Sequence, residues 1–382
     1  HIVCNYDISI GSPTAKIYVN GELQTLSTNT IYSQNATTSW NTDYSLRIGS
    51  YNSNTYFDGI MADFYFIQGY TYEASTFGET DSTTGEWKPN TNPTINYGGT
   101  GGNSCNLKFE NSANMDLDSG SNNVSFTTSG SLTQTQDCPS NNFCTISPLD
   151  NMAANNTSVH DGKLRYGNTS FITSDANRIY TRGTLGVKSG KYYWEAKQGN
   201  GTGWAIGIMV EAMLSQTNNQ FWDTTTVCGV AANGSSNTLY INGGSGDSWN
   251  TGITVSASSI YGFALDVDNR ALYIHHNGTY LTANSAVGNP TSGGSRTGSV
   301  LGELTTRGGT GGLNYIPVDE FIYPLMVDTS TNNYSELGMN FGNGYFGTTA
   351  ISSEGSNASG IGKFEYDVPT GYTALSTKGL NE

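Results

Sequence analysis

Basic side chains are scarce in this sequence: 16 Lys and Arg stand against 31 Asp and Glu, for a net charge of −15 over 382 residues. Gripping a polyanion takes clustered Lys and Arg, so nucleic acid is excluded as a partner, and an anionic membrane surface is disfavoured on the same ground. Charge of either sign is thin, at 12% of residues. No apolar run approaches the roughly 20 residues of a membrane-spanning helix. Only four histidines occur. The adjacent pair His275 and His276 would point to opposite faces of a strand and cannot share a metal on one face. Each reads as a surface or internally satisfied histidine. The patterns H-E-x-x-H, G-x-S-x-G, the phosphate-binding loop and C-x-x-C are all missing. Long stretches of 3.6-residue periodicity are missing too, which argues against helical architecture.

Cysteine is also sparse. Five are present, widely spaced and odd in number: Cys4, Cys105, Cys138, Cys144 and Cys228. Cys138 and Cys144 can close a small disulfide loop or stay reduced, and their spacing matches no zinc pattern. The ten N-x-S/T sequons are no more than 41 Asn and 90 Ser and Thr generate by chance, so they carry no information.

What is abundant is glycine, at 48 residues, and tyrosine, at 24, with aromatics at 12% and hydrophobic residues at 35%. Many short strands joined by polar loops produce that mixture, and the length allows two or three domains. The clearest strand is GKYYWEAK (190–197), which places Tyr192, Trp194 and Ala196 on one buried face and Tyr193, Glu195 and Lys197 on the other. Farther on, YGFALDVDNRALYIHHNGTY (261–280) reads as two strands around an Asp268-Asn269-Arg270 turn, broken at Asn277-Gly278. YPLMVD (323–328), LGMNFG (337–342) and VPTGYTAL (368–375) complete the series. This ordered set, over roughly 160–375, resembles the SPRY family. The resemblance implies a bent antiparallel β-sandwich of concanavalin A-like topology.

The first residues already read as a strand. AKIYVNGEL (15–23) is a hairpin turning at Asn20-Gly21, and YSLRIGSY (44–51) and FDGIMADFYFIQGYTYEASTFGE (57–79) follow. Over 1–79 the series resembles the C-terminal half of a laminin G-like (LamG) domain, without the Trp and strands expected ahead of His1. A half-sandwich leaves apolar residues such as Ile17, Val19, Ile60 and Phe64 without a partner sheet. The expectation is therefore a native polypeptide that extends beyond His1, with an intact mass above 40.8 kDa. Failing that, a neighbouring subunit supplies the strands.

Residues 80–145 read as an irregular Gly/Asn/Ser/Pro-rich linker, with strand character only at Leu107–Phe109 and Val124–Phe126 and with Trp87, Tyr97 and Phe109 tying it down. FGETDSTTGEWKP (77–89), an Asp-Ser-Gly element (116–122) and DCPSNNFCT (137–145) follow in order. With the ending FEYDVPTGYTAL (364–375), the layout resembles large structural proteins of marine bacteriophages, in which LamG and SPRY sandwiches are strung together. That resemblance implies a virion protein.

Candidate chemistry is thin. Asp266 and Asp268 share a strand face about 7 Å apart, a spacing that glycosidase carboxylates use. The E-x-D-x-x-E strand of sandwich β-glucanases is absent, however, and Asp268 begins a turn. Asp58 and Asp63 match acidic positions of the LamG ending, near which some such domains hold Ca²⁺. One matching carboxylate does not make a six-to-eight-oxygen site, so calcium stays unassigned and no cofactor is expected. Binding is the more natural use of loops rich in Trp, Tyr, Asn, Ser and Gly. Trp222, Asp223, Trp249, Tyr345 and Phe346 are the candidate ligand-binding residues, against the alternative that each caps a core or an oligomer contact.

The expectation is thus an all-β chain of two concanavalin A-like antiparallel sandwich modules: 1–79 LamG-like and incomplete, 80–145 linker, 146–382 SPRY-like. It is a non-enzymatic virion structural protein, a tail or capsid fibre or appendage. It sits on the particle surface as a homo-oligomer, a trimer by analogy with phage fibres, and contacts other virion proteins and host-surface glycan. A bacterial cell-surface or secreted lectin-like adhesin is the first alternative. The second is the non-catalytic part of a polysaccharide-degrading enzyme.

Overall fold

The computed structural model describes residues 1–27, 32–36, 47–52, 55–57, 60–82, 85, 87–99, 102–130, 132, 134–138, 140–146, 152–153, 163–165, 170–172, 179–201, 203–211, 227–233, 238–244, 247–301, 319–328 and 336–381. The chain divides into two compact units, His1–Gln134 with Cys138–Ser140, and Thr135–Asp137 with Asn141–Glu382. Both are built from antiparallel strands.

In the first unit, β1 (Ile2–Asp7), β2 (Thr14–Val19) and β3 (Glu22–Leu23) form a three-stranded sheet. The turn between the last two is Asn20-Gly21, with φ of 48° and 81°. Positive φ at both positions lets a two-residue loop follow the twist of its strands, and Asn-Gly adopts it at least cost. Next come β4 (Ser50–Asn52), β5 (Thr55–Tyr56), β6 (Phe64–Phe66), the one-turn α1 (Ala74–Phe77), β7 (Gly78–Thr80), β8 (Trp87–Pro89) and β9 (Cys105–Leu107). They pair as β4–β5, β7–β8 and β6–β9. β8 and β9 fall inside the stretch read from sequence as linker. The strand expected at Leu107–Phe109 runs instead over Cys105–Leu107, and Val124–Phe126 forms no strand.

Register puts Val3 and Tyr18 on one face of the sheet, where they are buried with Ala74 against Phe77 and Trp87. The other face carries Ile2, Cys4, Tyr6, Ile17 and Val19, all exposed or half-buried. Of the residues expected to lack a partner sheet, Val19 and Ile60 are exposed, and Ile17 and Phe64 are half-buried.

The second unit opens with β10 (Met152–Ala153), β11 (Lys163–Arg165), β12 (Ser170–Ile172) and β13 (Ile179–Arg182). Its long central strands are β14 (Lys191–Gln198), β15 (Trp204–Val210), β16 (Val227–Asn233), β17 (Thr238–Gly244), β18 (Asp247–Thr254), β19 (Ile260–Asp266) and β20 (Ala271–His276). Shorter pieces follow: β21 (Thr279–Tyr280), β22 (Thr282–Ala283) and β23 (Ala286–Val287). The last are β24 (Ile322–Asp328), β25 (Glu336–Asn340), β26 (Tyr345–Phe346), β27 (Thr349–Ala350) and β28 (Thr373–Ala374). One sheet runs β10-β13-β24-β15-β16-β17-β18 and the other β11-β12-β25-β14-β19-β20-β21, with β28 parallel to β14. One buried cluster joins Trp194, Phe263 and Leu265 of the second sheet to Ile206, Val230 and Ile241 of the first, so the unit is a β-sandwich. Trp194 and Phe263 stack with centroids 5.5 Å apart.

The sequence reading gives β14 and β19 one buried face each. Here both strands are buried on both faces. Chain from the C-terminal end lies over the outer side of the sheet, where Phe364 packs edge-on against Tyr193 at 5.0 Å. Side chains that alternation assigns to solvent, Tyr193 and Glu195 among them, are covered by that layer.

Candidate functional site

The residues singled out from sequence lie partly outside the described structure. Trp222 and Asp223 lie outside the described residues. Trp249, on β18 at the edge of one sheet, is half-buried and packs on the core. Tyr345 and Phe346 form β26, and Phe346 is buried against Gly338, with the Lys197 ammonium 5.6 Å from its ring centroid. Trp249 and Phe346 therefore serve the packing of the sandwich.

Four ionisable groups of the second unit, Glu195, His275, Asp266 and Asp268, are tied into structure as well. Glu195 is fully buried and accepts from Tyr193 Oη (3.1 Å), Asn340 Nδ2 (3.3 Å) and the backbone N–H groups of Glu365 (2.9 Å) and Tyr366 (2.8 Å). Burial pushes its carboxyl up to about 7, while those four donors pull the other way. His275 Nδ1 accepts the Gly278 N–H at 3.2 Å, so the neutral ring carries its hydrogen on Nε2 and donates it to Tyr193 Oη at 2.7 Å. Burial, helped by nearby His276, holds this imidazole down to about 3. The ring crosses its neighbour strand at Gly262, where a Cβ would stand 1.9 Å from Nε2. Asp266 accepts from the N–H and side-chain amide of Asn269 (2.9 and 2.8 Å) and pairs with Lys191 (3.1 Å), while Asp268 accepts the Gly190 N–H (2.9 Å). Both carboxylates thus cap turns.

All five cysteines are free. Cys138 Sγ lies 3.4 Å from Ser140 Oγ, and Cys144 Sγ donates to the Thr145 carbonyl at 3.4 Å, so the small disulfide loop is not formed. Burial pushes the Cys144 thiol up to about 11 and the Cys228 thiol up to about 12. Asp63 is half-buried at φ 48° with its carboxyl raised by burial, and Asp58 lies outside the described residues. Among the described residues, no three His, Cys, Asp or Glu side chains converge as for a metal, and no helix is long and apolar enough to cross a membrane.

A groove that sequence reasoning missed lies in the first unit, largely within the supposed linker. It has a volume of about 670 Å³, opens to solvent, and is walled by Tyr72, residues 94–98 and residues 119–121. Its walls are held from behind. Asp118, buried, takes the N–H groups of Asn106 and Gly120 on Oδ1 and that of Val124 on Oδ2, each at 2.8 Å. Asn122 Nδ2 bridges the carbonyls of Tyr97 (2.9 Å) and Ser104 (3.1 Å). The Tyr97 ring rests against Gly120, where a Cβ would come within 3.0 Å of it. Tyr72 Oη accepts the Asn96 N–H at 2.8 Å, and Asn96 Oδ1 accepts the Gly98 N–H at 2.9 Å. Among the described residues, no carboxylate, ammonium, guanidinium, imidazole or thiol lines the groove. The Asp-Ser-Gly element at 116–122 was the visible signal; what it serves was not.

Among solved structures, the chain is similar to the SPRY domain of human HERC1 (14% identity, 51% of this chain and 96% of that one, TM-score 0.30). It is also similar to the TRIM65 PSpry domain (11% identity, 51% and 90%, TM-score 0.32). No family model and no curated protein matches it.

Proposed function

We propose that this chain is a non-enzymatic structural protein of a bacteriophage particle, a tail or capsid fibre or appendage, serving host-surface attachment or decoration. The groove of the first unit carries the choice of binding over catalysis: it is rigidly backed and walled by aromatic, hydroxyl and amide groups, with no general acid, base or activated nucleophile among them. The locked state of Glu195, His275, Asp266 and Asp268 supports the same choice. The virion setting rests on the ordered motifs, LamG-like over 1–79 and SPRY-like over 160–375, and the second unit's part is contact with neighbouring particle proteins.

An antibody against residues 80–145, applied with gold label to particles and cells of the source, tests the setting. Label at tail tips supports receptor recognition and label on capsids supports decoration. Label on cell envelopes with none on particles overturns the proposal in favour of an adhesin. Glycan cleavage by the native product would overturn the non-enzymatic reading.

A further inference from the structure

We infer that the groove of the first unit binds an uncharged saccharide, with the Tyr97 ring as platform for one sugar face and Tyr72, Asn96, Ser119 and Ser121 as its hydrogen-bonding rim. The inference deepens the attachment reading and rests on it for biological meaning, while the binding chemistry stands on the groove alone. The volume of about 670 Å³ falls within the roughly 300–1,000 Å³ that small-ligand sites occupy, and the open side suits one or two residues of a longer glycan.

A sugar offers hydroxyls, each both donor and acceptor, around a ring with apolar C–H faces. Serine hydroxyls reciprocate both roles, and an aromatic ring covers the C–H face. Tyr72 Oη already accepts from Asn96, so its own hydrogen remains to donate, and Asn96 Oδ1 is occupied by Gly98, which leaves the amide hydrogens to donate. Two donors of fixed role thus flank two adaptable hydroxyls.

Asp118 and Asn122 hold the 94–98 and 119–121 walls through the Tyr97 carbonyl and the Gly120 N–H, so little ordering cost falls on binding. Carboxylated or sulfated sugars find no cation in the lining, and the net charge of −15 opposes their approach. A peptide fits less well, because none of the lining residues lies in a strand that could pair with its backbone.

The test is an array of immobilised glycans: neutral oligomers of glucose, galactose, mannose and N-acetylhexosamines beside sialylated, uronic-acid and sulfated ones. It is probed with the full chain, Tyr97→Ala and Ser121→Trp, and the best neutral oligosaccharide is then titrated by calorimetry. Ser121 is exposed, so the indole obstructs the groove without entering packed structure and guards against misfolding of Tyr97→Ala. We expect binding confined to neutral glycans, weakened about tenfold by Tyr97→Ala and abolished by Ser121→Trp at unchanged melting temperature. Binding to charged glycans alone, binding that neither variant alters, or no glycan binding overturns the site. Gold on particles without glycan binding would leave the virion setting standing and remove this site, and the converse pair of results would do the reverse.

Discussion

The two units treat their hydrophobic side chains in opposite ways. The second unit gathers Trp194, Trp204, Tyr261, Phe263, Phe341 and Phe364 into one cluster with exposures of 1% or less. Among its described residues, only Val287, Phe321 and Leu380 stand out as large exposed hydrophobics. In the first unit a small described cluster holds Val3, Tyr18 and Ala74, Cys105 and Leu107 are buried apart from it, and exposed apolar residues run from Ile2 (68%) through Tyr51 (86%), Tyr56 (68%) and Phe57 (58%) to Leu132 (51%). Patches of that kind mark surfaces made for contact, whereas a sealed core marks a scaffold. Mutational cost and contact capacity are thus housed in different parts of this chain.

The comparison is sharpened most by Trp194→Ala, which empties a stacked position against Phe263. We expect a loss of about 3–5 kcal/mol, read as a drop in the denaturant midpoint of the second unit with that of the first unmoved. Movement of both transitions together would break the picture of two separately folding units. Glu195→Gln comes next. An amide of the same shape keeps one acceptor oxygen where four donors converge, so a loss of about 2–3 kcal/mol is expected by chemical denaturation.

Dependence on pH separates the two buried groups. The unfolded chain binds the His275 proton between pH 6.5 and about 3 where the fold refuses it, so that stability is full above 6.5 and is lost as pH falls through the window. The fold holds the Glu195 proton between 4.5 and about 7 where the unfolded chain releases it, so that contribution is full below 4.5 and is lost as pH rises. The slopes oppose each other between 4.5 and 6.5. These two groups therefore give a flat-topped profile, with His275→Gln shrinking the acid limb and Glu195→Gln the upper one in urea melts across pH. The smallest effect belongs to Tyr51→Ser and Tyr56→Ser, within about 0.5 kcal/mol in thermal melts, since both rings are exposed. If these rings make contacts between chains, the same pair of changes lowers the sedimentation-average mass.

Much of the second unit was legible in the sequence, because its motifs are the residues that build the sandwich. Gly262, Glu195, Asn277-Gly278 and Asn340 each stand in a quoted motif, and each proves to serve the buried chain from His275 through Tyr193 to Glu195. That they meet was not legible: register across β25, β14, β19 and β20 brings them together, and one-dimensional spacing does not encode register. Of the aromatic candidates, Trp249 and Phe346 sit in polar sequence yet pack inward, the alternative that composition alone left open. The groove escaped because Gly98, Ser119, Gly120 and Ser121 look like linker until Asp118 and Asn122 fasten them. Composition marks a loop, and only the hydrogen-bond partners say whether it is held.

The bonds from Glu365 and Tyr366 to Glu195 span 170 and 171 positions of sequence. During synthesis, β14 emerges long before the residues that cover its outer side, and Glu195 must wait in water, ionised and uncovered, until residues 365 and 366 are made. Contacts of such separation slow folding, and an interrupted chain would display Tyr193 and its neighbours as a sticky surface. A chain interrupted before residues 364–366 would thus present a sandwich uncovered on one side at Tyr193 and Glu195, open to proteases and chaperones.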